Sequence, residues 1–153
     1  MLFPTHLVAA YLLGRQWQLS LPWVVLGAAL PDLVDKPAAT LGVFELYHSV
    51  GHSLLAPVVL GLLVVRSRRW VPLWVGWCSH LLLDAFHMVV NGRPADVQFL
   101  AWPLVRHTPA VNLPPLEFAV FYVGTPSFYV ELVIWLVFGS VLVTGWRATD
   151  TGT

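Results

Sequence analysis

Apolar runs alternate with short polar breaks along the chain. The first run covers Met1 to Gly14 and ends at Arg15-Gln16-Trp17-Gln18, where a tryptophan suits a membrane interface. The second, Ser20 to Leu30, is closed by Pro31-Asp32. Both are shorter than the roughly 20 residues of a full span, so tilted or partly buried short helices are expected. A polar interval follows, Asp32 to Tyr47, with Asp35, Lys36 and Glu45 among Pro37 and Gly42. His48-Ser49-Val50-Gly51-His52-Ser53 opens the third run, Leu54 to Val65, which Arg66, Arg68 and Arg69 end. The fourth run, Trp70 to Val90, stops at Asn91-Gly92-Arg93-Pro94 by turn chemistry. A proline-bearing connection reaches about Thr125, with an apolar patch at Phe118 to Val123. The last run is Phe128 to Trp146, before a polar tail expected to fray. The pattern predicts an all-α integral membrane helical bundle, with about five membrane segments in one domain over residues 1–153.

Composition agrees. The chain is 58% hydrophobic and 10% charged, too little polar surface to cover a water-soluble globule. Net charge is zero, so no nucleic-acid partner is expected. The lone Cys78 excludes an internal disulfide. No basic stretch precedes the first apolar run, so no cleaved signal peptide is expected.

The chemistry lies inside the fourth run. His80, Asp84 and His87 are spaced i, i+4 and i+7, which places them on one helical face. Ionisable groups within a span are costly unless paired, and imidazole and carboxylate one turn apart can reach one divalent ion. Orientation follows from the basic residues. Arg15, the Arg66/Arg68/Arg69 cluster and Arg147 fall on one face, Lys36, Arg93 and Arg106 on the other. The first face is expected to be cytoplasmic, with the N-terminus outside. With that topology His6, Asp32, Asp35, His48, His52, His80, Asp84 and His87 all gather near the outer face. The inner halves, such as Leu7–Gly14 and Ala56–Val65, carry no ionisable residue.

Each residue also has an ordinary role. His6 can be an interfacial imidazole, Pro31-Asp32 a helix stop, and Ser49 or Ser53 a helix cap. His80 and Asp84 can satisfy each other and glue helices together. Two non-hydrolytic readings therefore stand beside a metal-dependent enzyme. One is a membrane protein with a structural metal or hydrogen-bond cluster. The other is a metal or proton transporter, against which the ionisable-free inner halves count.

Thr5-His6, Leu30-Pro31-Asp32, Gly51-His52-Ser53-Leu54-Leu55 and Ser79-His80-Leu81-Leu82-Leu83-Asp84 occur in that order. This ordered set resembles the LexA-regulated, membrane-bound metal-dependent hydrolases of the bacterial inner membrane. That family is similar, by its His-and-Asp skeleton, to zinc-dependent phospholipase C and the related single-strand nucleases. The resemblance covers about Met1 to Phe86, with Trp102-Pro103-Leu104 reminiscent beyond it. It implies a phospholipase-C-like helical core. It also implies that Asp32, His52, His80 and Asp84 hold one metal, with His6 on a neighbouring metal that Asp84 bridges. His48 departs from the family's His-Arg-Gly stretch, and the soluble enzymes' second His-and-acid motif is not evident.

The sequence-level expectation is a hydrolase using one or two divalent ions, zinc, at the outer face of the inner membrane. Asp32 or Asp35 would orient or deprotonate the attacking water. His48 and His87 would be extra or supporting ligands. Position in the bilayer points to membrane lipids as partners and to a phosphoester of a lipid or lipid-linked molecule as substrate.

Overall fold

The computed structural model describes residues 1–150, with side chains described through residue 144. Trp146 and Arg147, used above for the last run and for orientation, lie beyond the described side chains; the final tail residues, 151–153, lie outside the described residues. Among the described residues the chain is helical and has no strand. Its helices are α1 (Phe3–Gln16), α2 (Leu21–Thr40), α3 (Leu55–Arg66), α4 (Val71–Val90), α5 (Pro115–Tyr122) and α6 (Pro126–Asp150). Short 3-10 segments, Arg68–Trp70 and Pro94–Ala101, precede and follow α4.

Prolines start these helices. Pro4, Pro22 and Pro72 sit in the first turns of α1, α2 and α4, where the missing N–H has no helical partner to lose. Glycine closes α4. Gly92 adopts φ +73°, its N–H reaches the Val89 carbonyl at 3.0 Å, and the Arg93 N–H reaches that of Met88 at 2.9 Å. This paired left-handed cap fixes where Arg93 leaves the helix.

One expectation needs correction, one is met in part and one is refined. The second apolar run does not stop at Pro31-Asp32: α2 continues through Pro31 and Pro37 to Thr40. An interior proline forfeits one helical hydrogen bond, but neighbouring helices can hold the rod together. Here α4 does so, in the most extensive helix pairing of the fold. The polar interval is therefore half helix, and Asp32, Asp35 and Lys36 project from a rigid element. Secondly, only two described stretches are long and apolar enough to cross a membrane, Arg68–Val90 and Pro126–Thr144; α3, at 12 residues, is apolar but shorter. Thirdly, the connection after α4 is structured, by the 3-10 segment Pro94–Ala101 and by α5 at the Phe118 patch.

Small residues bring α2 and α4 together. A Cβ on Gly76 would lie 2.0 Å from the Val24 carbonyl oxygen, and one on Gly27 would lie 2.1 Å from that of Leu73. The two backbones touch at these points, as small residues allow between membrane helices. α1 packs beside α2 through Ala10, Val24 and Ala28.

The burial pattern is inverted. His6, Asp35, His52 and His80 are almost fully buried, whereas Val58, Val59, Leu62, Val65, Leu136 and Val143 lie more than half exposed. Leu136 and Val143 stand on α6, which buries little of itself inside the chain.

Candidate metal centre

Each candidate donor stands on an element whose position is already fixed. α1 carries His6, α2 carries Asp32 and Asp35, the α2–α3 loop carries His48 and His52, and α4 carries His80, Asp84 and His87. Glu131 of α6 steadies α1: it accepts a hydrogen bond from the Thr5 hydroxyl, and the Trp135 indole donates to that same hydroxyl at 3.0 Å. Thr5 is the neighbour of His6, so α6 holds the first donor in place.

The loop is seated on α2 by Asp35. Its carboxylate accepts N–H bonds from Ser49 at 2.7 Å, Gly51 at 2.9 Å and His52 at 3.2 Å, and the His52 Nδ1–H at 2.7 Å. Gly51 permits the approach, since a Cβ there would come within 2.7 Å of the Pro31 carbonyl oxygen. The Trp77 indole of α4 donates to the Gly51 carbonyl at 2.9 Å. This geometry revises Asp35. Its oxygens are taken up by the loop, and it does not line the cavity described below. Its contacts position His52.

These contacts also set the tautomers. The Asp35 carboxylate and the Ala28 carbonyl can only accept, so His52 Nδ1 and His80 Nδ1, each 2.7 Å from its acceptor, carry the protons. A neutral ring then presents a bare lone pair at Nε2. The two Nε2 atoms face each other at 3.1 Å. Carboxylate oxygens close around them. Asp32 Oδ1 lies 3.3 Å from His52 Nε2 and 3.8 Å from His80 Nε2. Asp84 Oδ2 lies 3.5 Å and 3.3 Å from the same two atoms. Neighbouring donors on a zinc ion with bonds of about 2.0 Å stand roughly 3.3 Å apart. Lone pairs and anionic oxygens this close repel unless a proton or a metal ion lies among them.

Three overlapping groups can hold an ion: Asp32 with His52 and His80; His6 with His80 and Asp84; and His48 with His52 and Asp84. All five residues expected to converge do so, and His48 joins them. His6 gives an independent sign. Its ring is 1% exposed and stacks on His80 at 3.8 Å. Its Nε2 lies 3.1 Å from Asp84 Oδ1, yet neither ring nitrogen makes a hydrogen bond. A buried imidazole whose polar contact is one carboxylate at ion-pair distance is poorly satisfied, and coordination would improve it. The Met1 amino group also lies 2.9 Å from Asp84 Oδ1. His48 sits in the loop with Nε2 3.5 Å from Asp84 Oδ2. Desolvation, then the nearby Lys36 and His52, push its pKa down to about 3, so its ring is neutral and free to donate a lone pair.

His87 stands apart from all three groups. Its Nδ1 meets the Ser127 hydroxyl at 2.8 Å and its Nε2 meets Arg93 at 3.1 Å. Arg93 pairs in turn with Asp96 at 2.8 Å, and Asp96 accepts from His107 at 3.0 Å and from the Ala110 amide at 3.0 Å. The i+7 spacing correctly places His87 on the face of His80 and Asp84, but Arg93 occupies the nitrogen that would point toward a metal. Burial works against the Asp96 carboxylate, yet the Ala110 amide, His107 and Arg93 outweigh it and hold its pKa below the ordinary carboxylate range. Such a group stabilises the fold above the ordinary value, near 4, and the contribution fades as pH falls through the lowered one. Asp96→Asn is expected to cost about 1–3 kcal/mol at pH 7, with the gap to the parent narrowing below about pH 4. Thermal unfolding in detergent at the two pH values checks this.

A cavity of about 530 Å³ opens beside the donors. Asp32, His48 and Asp84 reach it, and Phe3, Leu33, Met88, Leu113 and Phe118 make much of the wall. Lys36 and Arg93 are the cationic side chains on its lining, beside the Met1 amino group. Sequence reasoning passed over both. In sequence Lys36 reads as a charge in a polar interval, Arg93 as part of the turn that ends the fourth run, and both as markers of orientation. The α2 extension that turns Lys36 inward, and the helix cap that aims Arg93, carry no motif.

No family model, curated protein or solved structure matches the chain.

Proposed function

We propose that this chain is an integral membrane hydrolase, with a divalent metal centre built by α1, α2, α4 and the α2–α3 loop. The observation that carries this reading is the convergence of two histidine lone pairs and two carboxylates at 3.1–3.8 Å, beside a largely apolar cavity. The buried polar centre and exposed apolar exterior support a bilayer setting, because soluble monomers rarely expose apolar surface on this scale. α4 and α6 cross the bilayer. α1, α2 and α3 complete about five segments in the inner membrane, and the centre faces outward. The N-terminus lies outside and the Arg66–Arg69 turn is cytoplasmic. Cysteine labelling tests this in a Cys78→Ser background. Ala95→Cys should react with an impermeant reagent from outside and Ser67→Cys should not; the opposite result reverses the orientation.

Asp32, His52, His80 and Asp84 would hold one zinc ion, and His6, with Asp84 shared, would hold a second. Bound there, the metal would supply a water of near-neutral pKa and polarise a phosphoryl oxygen. The chain's own groups do the rest. Asp35 fixes the His52 tautomer, and the Ala28 carbonyl fixes that of His80, as outer partners of metal-binding histidines commonly do. Asp32 faces the cavity and orients and deprotonates the attacking water. Lys36, 3.4 Å from Asp32 Oδ1, offsets charge at the mouth of the centre. The apolar wall receives the chain of a lipid or lipid-linked phosphoester and keeps bulk water away.

The test is turnover of a panel of phospholipids, lipid phosphates and generic phosphodiesters by protein purified without chelator. Metal-dependent phosphoester hydrolysis, lost on chelation and restored by zinc, is the expected result. Metal-loaded protein inert across the panel favours the structural cluster.

A further inference from the structure

Lys36, Arg93 and the Met1 amino group line the cavity with the Asp32 and Asp84 carboxylates, and Lys36 and Arg93 are held by different partners. Lys36 lies beside the metal donors. Its Nζ is 3.4 Å from Asp32 Oδ1 and 3.3 Å from the Tyr47 carbonyl. Arg93 follows the end of α4 and stands away from the donor groups. It contacts His87, which follows Asp84 by three residues on α4, an axial rise of about 4.5 Å. Arg93 is also held unusually firmly. The helix cap fixes its backbone; Asp96 and His87 fix its guanidinium; Ser127 and Asn91 fix His87; and His107 and the Ala110 amide fix Asp96. Only some of its five N–H groups are spent in these contacts, and the residue lines the cavity. A guanidinium pre-aligned in this way, with donors to spare, suits a phosphate oxyanion.

We infer that the cavity recognises a lipid diphosphate. The terminal phosphate lies at the metal donors and Lys36, the inner phosphate at Arg93, and the apolar chain along Leu33, Leu113 and Phe118. This rests on the hydrolase reading and names its substrate class. In the reaction, the oxygen of water bonds to the terminal phosphorus. The bond from that phosphorus to the bridging oxygen breaks, and its electron pair stays on the departing lipid monophosphate. The water proton passes to Asp32 and on to solvent. Inorganic phosphate is the second product. Arg93 stabilises the charge that grows on the leaving phosphate, so it is a residue of substrate choice as well as of binding.

The experiment compares the zinc-loaded parent, Arg93→Gln and Arg93→Lys on farnesyl diphosphate, farnesyl monophosphate and a phosphatidylcholine vesicle. Binding of farnesyl methylenediphosphonate, whose P–C–P bridge has no bridging oxygen to lose, is measured alongside by calorimetry. The expected result is preferred hydrolysis of farnesyl diphosphate, with kcat/KM lowered about tenfold or more by Arg93→Gln and partly rescued by Arg93→Lys. Activity on farnesyl monophosphate should change little, which separates a contact with the inner phosphate from a loosened fold. Diphosphonate binding that depends on Arg93 in a protein that hydrolyses nothing would support the recognition site and sink the hydrolase. Hydrolysis of the monophosphate or of phosphatidylcholine with no preference for the diphosphate, unaffected at residue 93, would overturn the inference and leave the hydrolase standing. Neither binding nor turnover would overturn both.

Discussion

On the proposed reading, Asp84→Asn is expected to strip the centre of metal and to lower hydrolysis on the order of 100-fold or more, with the chain still inserting and folding. Asp84 belongs to two of the three donor groups and lies within 3.5 Å of His6, His48, His52 and His80. The amide keeps the shape of the carboxylate but removes a negative charge, and one of its two ends becomes a donor that faces imidazole lone pairs. Changing a group that only supports a metal ligand already costs 10–100-fold in affinity or activity, so losing a shared ligand should cost at least as much. Insertion is spared because a neutral amide is less costly than a carboxylate within a span. Elemental analysis and turnover, measured together on parent and variant, check both halves. Full metal content and full activity in Asp84→Asn would remove Asp84 from the centre.

The second large effect falls on the scaffold. Gly76→Val should destabilise the chain by about 3 kcal/mol or more, the upper end of overpacking or beyond it. The clash is with the Val24 carbonyl oxygen, 2.0 Å from the new Cβ, and Ala28 N is only 2.9 Å away. Backbone cannot rotate aside as a side chain can, so α2 and α4 must separate. That movement would part Asp32 from His80 and Asp84, so metal affinity should fall along with stability. Gly139→Ala is the control. Nothing lies within 4 Å of its added Cβ, and alanine is the better helix former, so stability should hold or rise slightly. Unfolding in detergent measures both; equal behaviour of the two variants would mean that α2 and α4 do not cross at Gly76.

The helical faces explain how much of this centre could be read from sequence. His80 and Asp84 share a face by their spacing alone, and gathering the polar residues at one membrane face was enough to bring His6, Asp32 and His52 to them. Roles were harder, because they depend on which direction each oxygen or nitrogen points. Asp32 and Asp35 look interchangeable in sequence. One turns into the cavity, and the other is consumed by three loop amides and His52. His87 has the right spacing for a ligand, but a residue six positions later turns its nitrogen away. The end of α2 was misjudged for an energetic reason. Proline normally marks a helix boundary, and the packing of α2 on α4 that overrides it is non-local. Of the expected segments, Arg68–Val90 and Pro126–Thr144 are long and apolar enough to cross a membrane, while α1 and α3 have 14 and 12 residues, short of a full span. Arg93 stayed invisible because its network joins residues 87, 91, 96, 107 and 127, which no local pattern connects.

The central claim is that the converging nitrogens and oxygens bind metal. X-ray absorption at the zinc edge, on protein purified without chelator and supplied with zinc, tests it most directly. The account expects at least one tightly held zinc per chain, with several imidazoles in its shell and nitrogen and oxygen ligands at about 2.0–2.2 Å. Zinc that washes out to background, or a spectrum without imidazole ligation, would contradict it.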